Sequence, residues 1–152
     1  MSEMQRIEDQ LRRAFEGNAW HGPAVRELLA DVSAARAAAR PLSTAHSIWE
    51  IVLHIAAWEG VVRRRLQGET VADLPPEQDW PAVRDTSEAA WRQALDDLEQ
   101  AHRALHEAIA RSNEAHLADT VPGKDHSVYL MLHGIIQHDL YHAGQIAVLK
   151  KA

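Results

Sequence analysis

The sequence predicts an all-α chain, a four-helix bundle with a long crossover loop, and three observations carry that prediction. Breaks fall at Gly17, Gly22-Pro23, Pro41, Gly68, Pro75-Pro76, Pro81 and Pro122-Gly123, leaving stretches rich in Ala, Leu, Arg and Glu between them. Those stretches repeat their apolar residues with helical period and not in strand alternation. Serines, threonines and acids stand where helices would begin.

A first helix is expected from about Glu3 to Glu16, stopped at Gly17-Asn18, and a shorter one from Pro23, a residue suited to a first helical position. Ser33 then caps a brief turn before Pro41. Ser43 or Thr44 is expected to cap the second long helix, which should reach about Gly68. A linker of prolines and acids follows. Asp85 with Glu88 reads as a capping box for a third long helix to about Asn113, and a last helix should run from Asp125 or Ser127 to Lys150.

At 152 residues the chain suits a single domain over 1–152, long enough to bury a core without disulfides or a structural metal. It has no Cys, so any metal must be held by His and carboxylate, and any thiol chemistry needs a thiol from outside. A net charge of −6 argues against nucleic acid as a partner. The run Arg63-Arg64-Arg65 reads as the solvated end of a helix, where cations suit the helix dipole. No apolar run approaches the ~18 residues of a membrane span, and the start lacks a basic-then-apolar leader pattern, so the expected location is cytoplasmic.

Chemistry concentrates in His138-Asp-Leu-Tyr-His142. Residues four apart on a helix lie about 40° apart on one face, so two imidazoles at this spacing can grip one ion. Met131, Ile135, Gln145 and Leu149 fall within about 60° of His138, which puts both rings on an apolar face. Burying two polar rings is costly unless something satisfies them, and a metal does. Ile136, Leu140, Ala143 and Ala147 form a second apolar stripe, with His133 among them, and suggest cover from a partner subunit as well as from the bundle.

A third ligand should come from a neighbouring helix. His54 lies at the edge of the face made by Ile48, Ile51, Ile55, Trp58 and Val62 and is placed to look inward. His102 and His106 repeat the four-residue spacing, and His102 lies on the stripe of Trp91, Leu95, Leu98, Leu105 and Ile109, so spacing leaves this second pair open. Hydrogen-bonded histidines at the edge of a core are the plainer reading of either pair. A zinc-protease His-Glu-x-x-His motif is absent, since Asp139 follows His138.

Three segments together resemble the DinB-like (damage-inducible, bacillithiol-transferase-like) metal-binding four-helix proteins: Ala19-Trp20-His21-Gly22-Pro23-Ala24-Val25, His46-Ser47-Ile48-Trp49-Glu50 on to His54-Ile55-Ala56-Ala57-Trp58-Glu59, and Gly134 through Ile146. The resemblance implies one ligand from the second long helix and two from the last, landing on His54, His138 and His142. It also implies a divalent ion (zinc, nickel or iron-like) and a homodimer built on long helices.

Three neutral imidazoles leave a divalent ion with open positions, the arrangement of a catalytic site. Hydrolysis and thiol transfer are both open to it, and the resemblance favours transfer, with a low-molecular-weight thiol and a small electrophile as the partners. Glu50, one turn before His54, His21 beside its Gly-Pro loop, and Gln145 on the ligand face are the candidate acid, base or hydrogen-bonding residues. Trp20, Trp49, Trp58 and Tyr141 read as packing. The alternative is a non-catalytic metal-binding stress-response dimer, distinguished from an enzyme by a closed ligand shell without a cavity.

Overall fold

The computed structural model describes residues 1–152. Four long helices, α1 (Glu3–Phe15), α4 (Ile48–Leu66), α6 (Glu88–Ala110) and α7 (Val128–Leu149), form the bundle. Short helices α2 (Val25–Leu29) and α3 (Ala34–Ala38) link α1 to α4, α5 (Pro76–Asp79) interrupts the crossover, and a 3-10 turn over Glu114–Ala118 precedes α7. There is no strand, only one isolated bridge between Thr120 and Ser127. None of the helices is long and apolar enough to cross a membrane.

Each long helix starts at a serine. Ser2, Ser47, Ser87 and Ser127 accept N–H bonds from the first turns of α1, α4, α6 and α7, supplying acceptors that the helix ends otherwise lack. Two expected starts therefore move. Ser47 displaces Ser43 and Thr44 because Glu50 stands three residues on and completes a capping box, its Oε2 accepting from Ser47 N–H at 2.7 Å.

The expected box of Asp85 and Glu88 does not form. Asp85 accepts from Ser87 N–H at 2.9 Å, while Glu88 accepts from Ala34 N–H at 3.0 Å and ties α6 to α3. Pro23 is not a first helical residue either, since α2 opens at Val25 after Ala24, whose N–H donates to Glu27. Gly17-Asn18 does stop α1, Asn18 taking φ +62°, and Gly68 closes α4 at φ +89° in the left-handed region that suits a helix terminus.

The core divides into two apolar clusters. One gathers Phe15, Trp49, Ile55, Trp91, Leu98, Ala143 and Ile146 among others, and the second gathers Leu11, Val62, Leu105, Leu132 and Ile135. Between them three long helices bury polar side chains at a common level: Glu59 on α4 between Ile55 and Val62, His102 on α6 between Leu98 and Leu105, and Asp139 on α7 between Ile135 and Ala143.

One expectation about exposure is corrected. Arg65 is buried and not solvated, because its guanidinium donates to the carbonyls of Val71 and Ala72 and pins the start of the crossover. In the second apolar stripe of α7, Ile136 and Ala143 are buried in a bundle in which α7 packs against α1 and α2, while Leu140 and Ala147 are half-buried. The large apolar side chains that α7 leaves exposed are Tyr129, Leu130, Tyr141 and Val148.

The caps make a measurable prediction. Ser47→Ala removes an N-cap and half of a capping box, and is expected to cost about 1 kcal/mol of stability. Urea unfolding should show a lower midpoint at unchanged slope.

Candidate metal centre

Three imidazoles converge where α4 faces α7. One ring nitrogen from each of His54, His138 and His142 lies within 4.8 Å of the others, and His54 Nε2 is 3.0 Å from His138 Nε2. His54 and His142 are buried and His138 is half-buried. A cation bound through imidazole nitrogen at about 2.0–2.1 Å spans donors roughly 3.3 Å apart, close to the 3.0 Å between His54 Nε2 and His138 Nε2.

The outer nitrogens show how the rings are held. His54 Nδ1 is 2.6 Å from the carbonyl oxygen of Asp79, so Nδ1 carries the proton and donates it, leaving Nε2 bare. The Asp79 carboxylate accepts from Trp58 Nε1 at 2.7 Å, and Trp80 stacks on His54 at 3.8 Å with His46 stacked on its far face at 3.6 Å. His142 Nδ1 likewise meets Gln145 Oε1 at 2.7 Å, one turn on along α7. Two lone pairs are thus aimed into one space by partners on the far side of each ring, which is how protein ligands to metals are commonly set.

Electrostatics keep those lone pairs available. Burial lowers His54 against the opposing pull of the Asp79 carbonyl, and burial lowers His142 to about 4 despite the Gln145 bond. Both rings are therefore neutral near pH 7, the form that coordinates. The cluster can hold a metal ion, and its all-nitrogen donor set is compatible with several divalent metals.

The remaining candidates separate. Gln145 joins the centre through His142. Glu50 does not turn to His54: burial pushes its carboxyl upward, but the Ser47 N–H and the Arg40 guanidinium outweigh this and hold it below the usual range, committed to the cap. His21 is exposed and lines a different cavity with Arg13, Trp20, Ile136 and Leu140. His106 meets Glu8 at 3.3 Å at the margin of α6. His102 is buried, stacked on Phe15, with Nδ1 3.2 Å from Glu59 Oε1.

Sequence reasoning missed Asp79 and Trp80, which reach His54 from the crossover and have no periodic signal. It also missed the depth of Glu59 and Asp139, both fully buried. Their signal was register, since each stands four residues after an isoleucine of the apolar face. Burial raises Glu59 well above the carboxylate range, with repulsion from Asp139 adding to it, and burial also raises Asp139 while His138 and Glu59 pull it down.

A cavity of about 540 Å³ opens beside the centre, walled by Leu42, His46, Ile51, Tyr141, Gln145 and Val148 among others. It reaches Gln145, the residue that anchors His142, but the three ligand rings do not line it.

Burial lowers His102 from 6.5 to about 3, so the unfolded chain takes up a proton first as the pH falls. Its contribution to stability is complete above pH 6.5 and is lost progressively toward pH 3. In metal-free protein the urea midpoint of the parent should fall more steeply across that window than the midpoint of His102→Gln.

A family model described as the DinB superfamily matches residues 19–146, a span that contains all three histidines and both anchors. No curated protein and no solved structure matches the chain.

Proposed function

The chain belongs to the DinB superfamily, and we propose that its His54–His138–His142 centre holds a divalent ion, zinc or nickel before iron, in a cytoplasmic thiol-dependent S-transferase or a hydrolase of small electrophiles. The observation that carries this is the convergence of the three ring nitrogens, two of them backed by dedicated acceptors at 2.6 and 2.7 Å. A bound ion supplies a Lewis-acidic position that lowers the pKa of a water or thiol toward neutrality.

What the chain contributes is placement. Asp79 and Gln145 fix which nitrogen of His54 and of His142 faces inward, and Trp58 and Trp80 screen one side of His54 from water. The cavity beside Gln145 and His46 suits a substrate with a small, largely apolar body. In transfer, the sulfur of a small thiol forms a C–S bond to the electrophilic carbon, whose bond to the leaving group breaks with its electron pair, while the thiol proton is released. The chain has no Cys, so the sulfur comes from the co-substrate.

A second reading is a non-catalytic metal-binding dimer, in which the ion ties α4 to α7. It is favoured by the cavity wall, which reaches Gln145 without the ligand rings. A homodimer in either reading would use the exposed face of α7 at Leu130, Tyr141 and Val148, which recur on one side of the helix.

Metal-loaded protein should carry about one ion per chain, and His138→Ala should lose it. Turnover with a panel of small thiols and electrophiles, abolished by chelation while the helical circular dichroism persists, is the outcome expected of the enzyme. Metal uptake without turnover on any pair supports the second reading. Protein that takes up no ion sinks both.

A further inference from the structure

His54 and His142 each have an acceptor behind the outer nitrogen, but His138 does not have an ordinary one. Its Nδ1 is buried without a hydrogen-bond partner, and Asp139 Oδ1 lies 3.8 Å away. Both Asp139 oxygens are also buried without a conventional partner, as is Glu59 Oε2. These orphaned atoms lie in the polar layer that separates the two apolar clusters, where water cannot reach them. An imidazole bound to an ion through one nitrogen keeps its proton on the other, and a buried N–H left unmet is destabilising.

The layer has a consistent bonding order. A neutral His102 has one N–H, which at Nδ1 donates to Glu59 Oε1 at 3.2 Å, leaving Nε2 bare and 3.7 Å from Glu16 at the end of α1. Glu59 Oε2 and both Asp139 oxygens complete the layer with no partner of their own. The carboxylate oxygen that stands 3.8 Å from the orphaned Nδ1 of His138 is Asp139 Oδ1. The chain of groups crosses the bundle from α6 through α4 to α7 with one residue from each helix.

We propose that Asp139 is a positioning residue for His138, receiving its Nδ1–H from within the buried polar layer that Glu59 and His102 share with it. The inference rests on the metal-centre reading above and deepens it: the polar layer sets which nitrogen of His138 faces the ion and how basic that nitrogen is. The same layer would also be explained by register alone, in which buried polar groups select one alignment of helices. The two explanations part at the ion.

The test measures zinc affinity by competition with a chromophoric chelator, and the visible absorption of the cobalt-substituted protein, in the parent, Asp139→Ala, Asp139→Asn and Glu59→Gln. Asp139→Ala should bind zinc about 10–100-fold more weakly. Asp139→Asn, whose amide oxygen still accepts an N–H, should recover part of that loss, with the cobalt bands displaced from those of the parent because the acceptor is no longer a full carboxylate. Glu59→Gln should displace the same bands by less.

Unshifted bands and unchanged affinity in both Asp139 variants overturn the inference and leave the metal centre standing. Should Asp139→Ala fail to fold, the bands of Asp139→Asn and Glu59→Gln decide by the same rule. A parent protein that takes up neither zinc nor cobalt removes the metal-centre reading, and this inference with it.

Discussion

The bundle is governed by one requirement: three polar side chains buried at a single level have to find each other. Glu59, His102 and Asp139 sit on different long helices, and the apolar residues above and below them belong to different clusters. Sliding any of the three helices by a turn would leave a carboxylate facing hydrocarbon, at a cost larger than that of most single core substitutions. Apolar packing alone tolerates several alignments of Ala- and Leu-rich helices, whereas a polar layer accepts few. The alignment it selects also brings His54 of α4 opposite His138 and His142 of α7.

The three imidazoles depend on different scales of structure. His138 and His142 are neighbours because of helical geometry, and Gln145 reaches His142 for the same reason. His54 depends on the register of α4 against α7, and its orientation depends on a loop more than twenty residues downstream. Asp79 serves that loop twice, since its carbonyl accepts from His54 and its carboxylate from Trp58. The centre thus joins a preformed local pair to a third group whose placement requires the completed fold.

This division explains what the sequence could show. The four long helices were legible because helical period and breakers are local, and so was the His138–His142 pair. The helix starts were less legible: Ser43, Thr44, Ser47, Asp85 and Ser87 are all competent caps, and the choice fell to where Glu50 could close a box and where Glu88 was drawn to Ala34. The burial of Arg65 is not legible because period reports direction and not what lies there, which is the Val71–Ala72 backbone. Neither the His102 pair nor Glu50 is set aside by the sequence, because partners such as Glu59 and Arg40 are not adjacent in it.

The crossover from α4 to α6 looks like slack, yet it is fastened at both ends. Arg65 and Lys124 grip it at Val71, Ala72 and Asp73, and His54 and Trp58 grip it again at Asp79, after which Trp80 and Val83 rest on the core. Only the few residues around Leu74 run between the two fastenings. Extra residues spliced in there would have somewhere to bulge, while the same insertion between Asp79 and Val83 would drag the carbonyl off its imidazole. Added length therefore meets no fastening in one short window alone, and a loop that elsewhere would be free to drift in size behaves here as part of the scaffold.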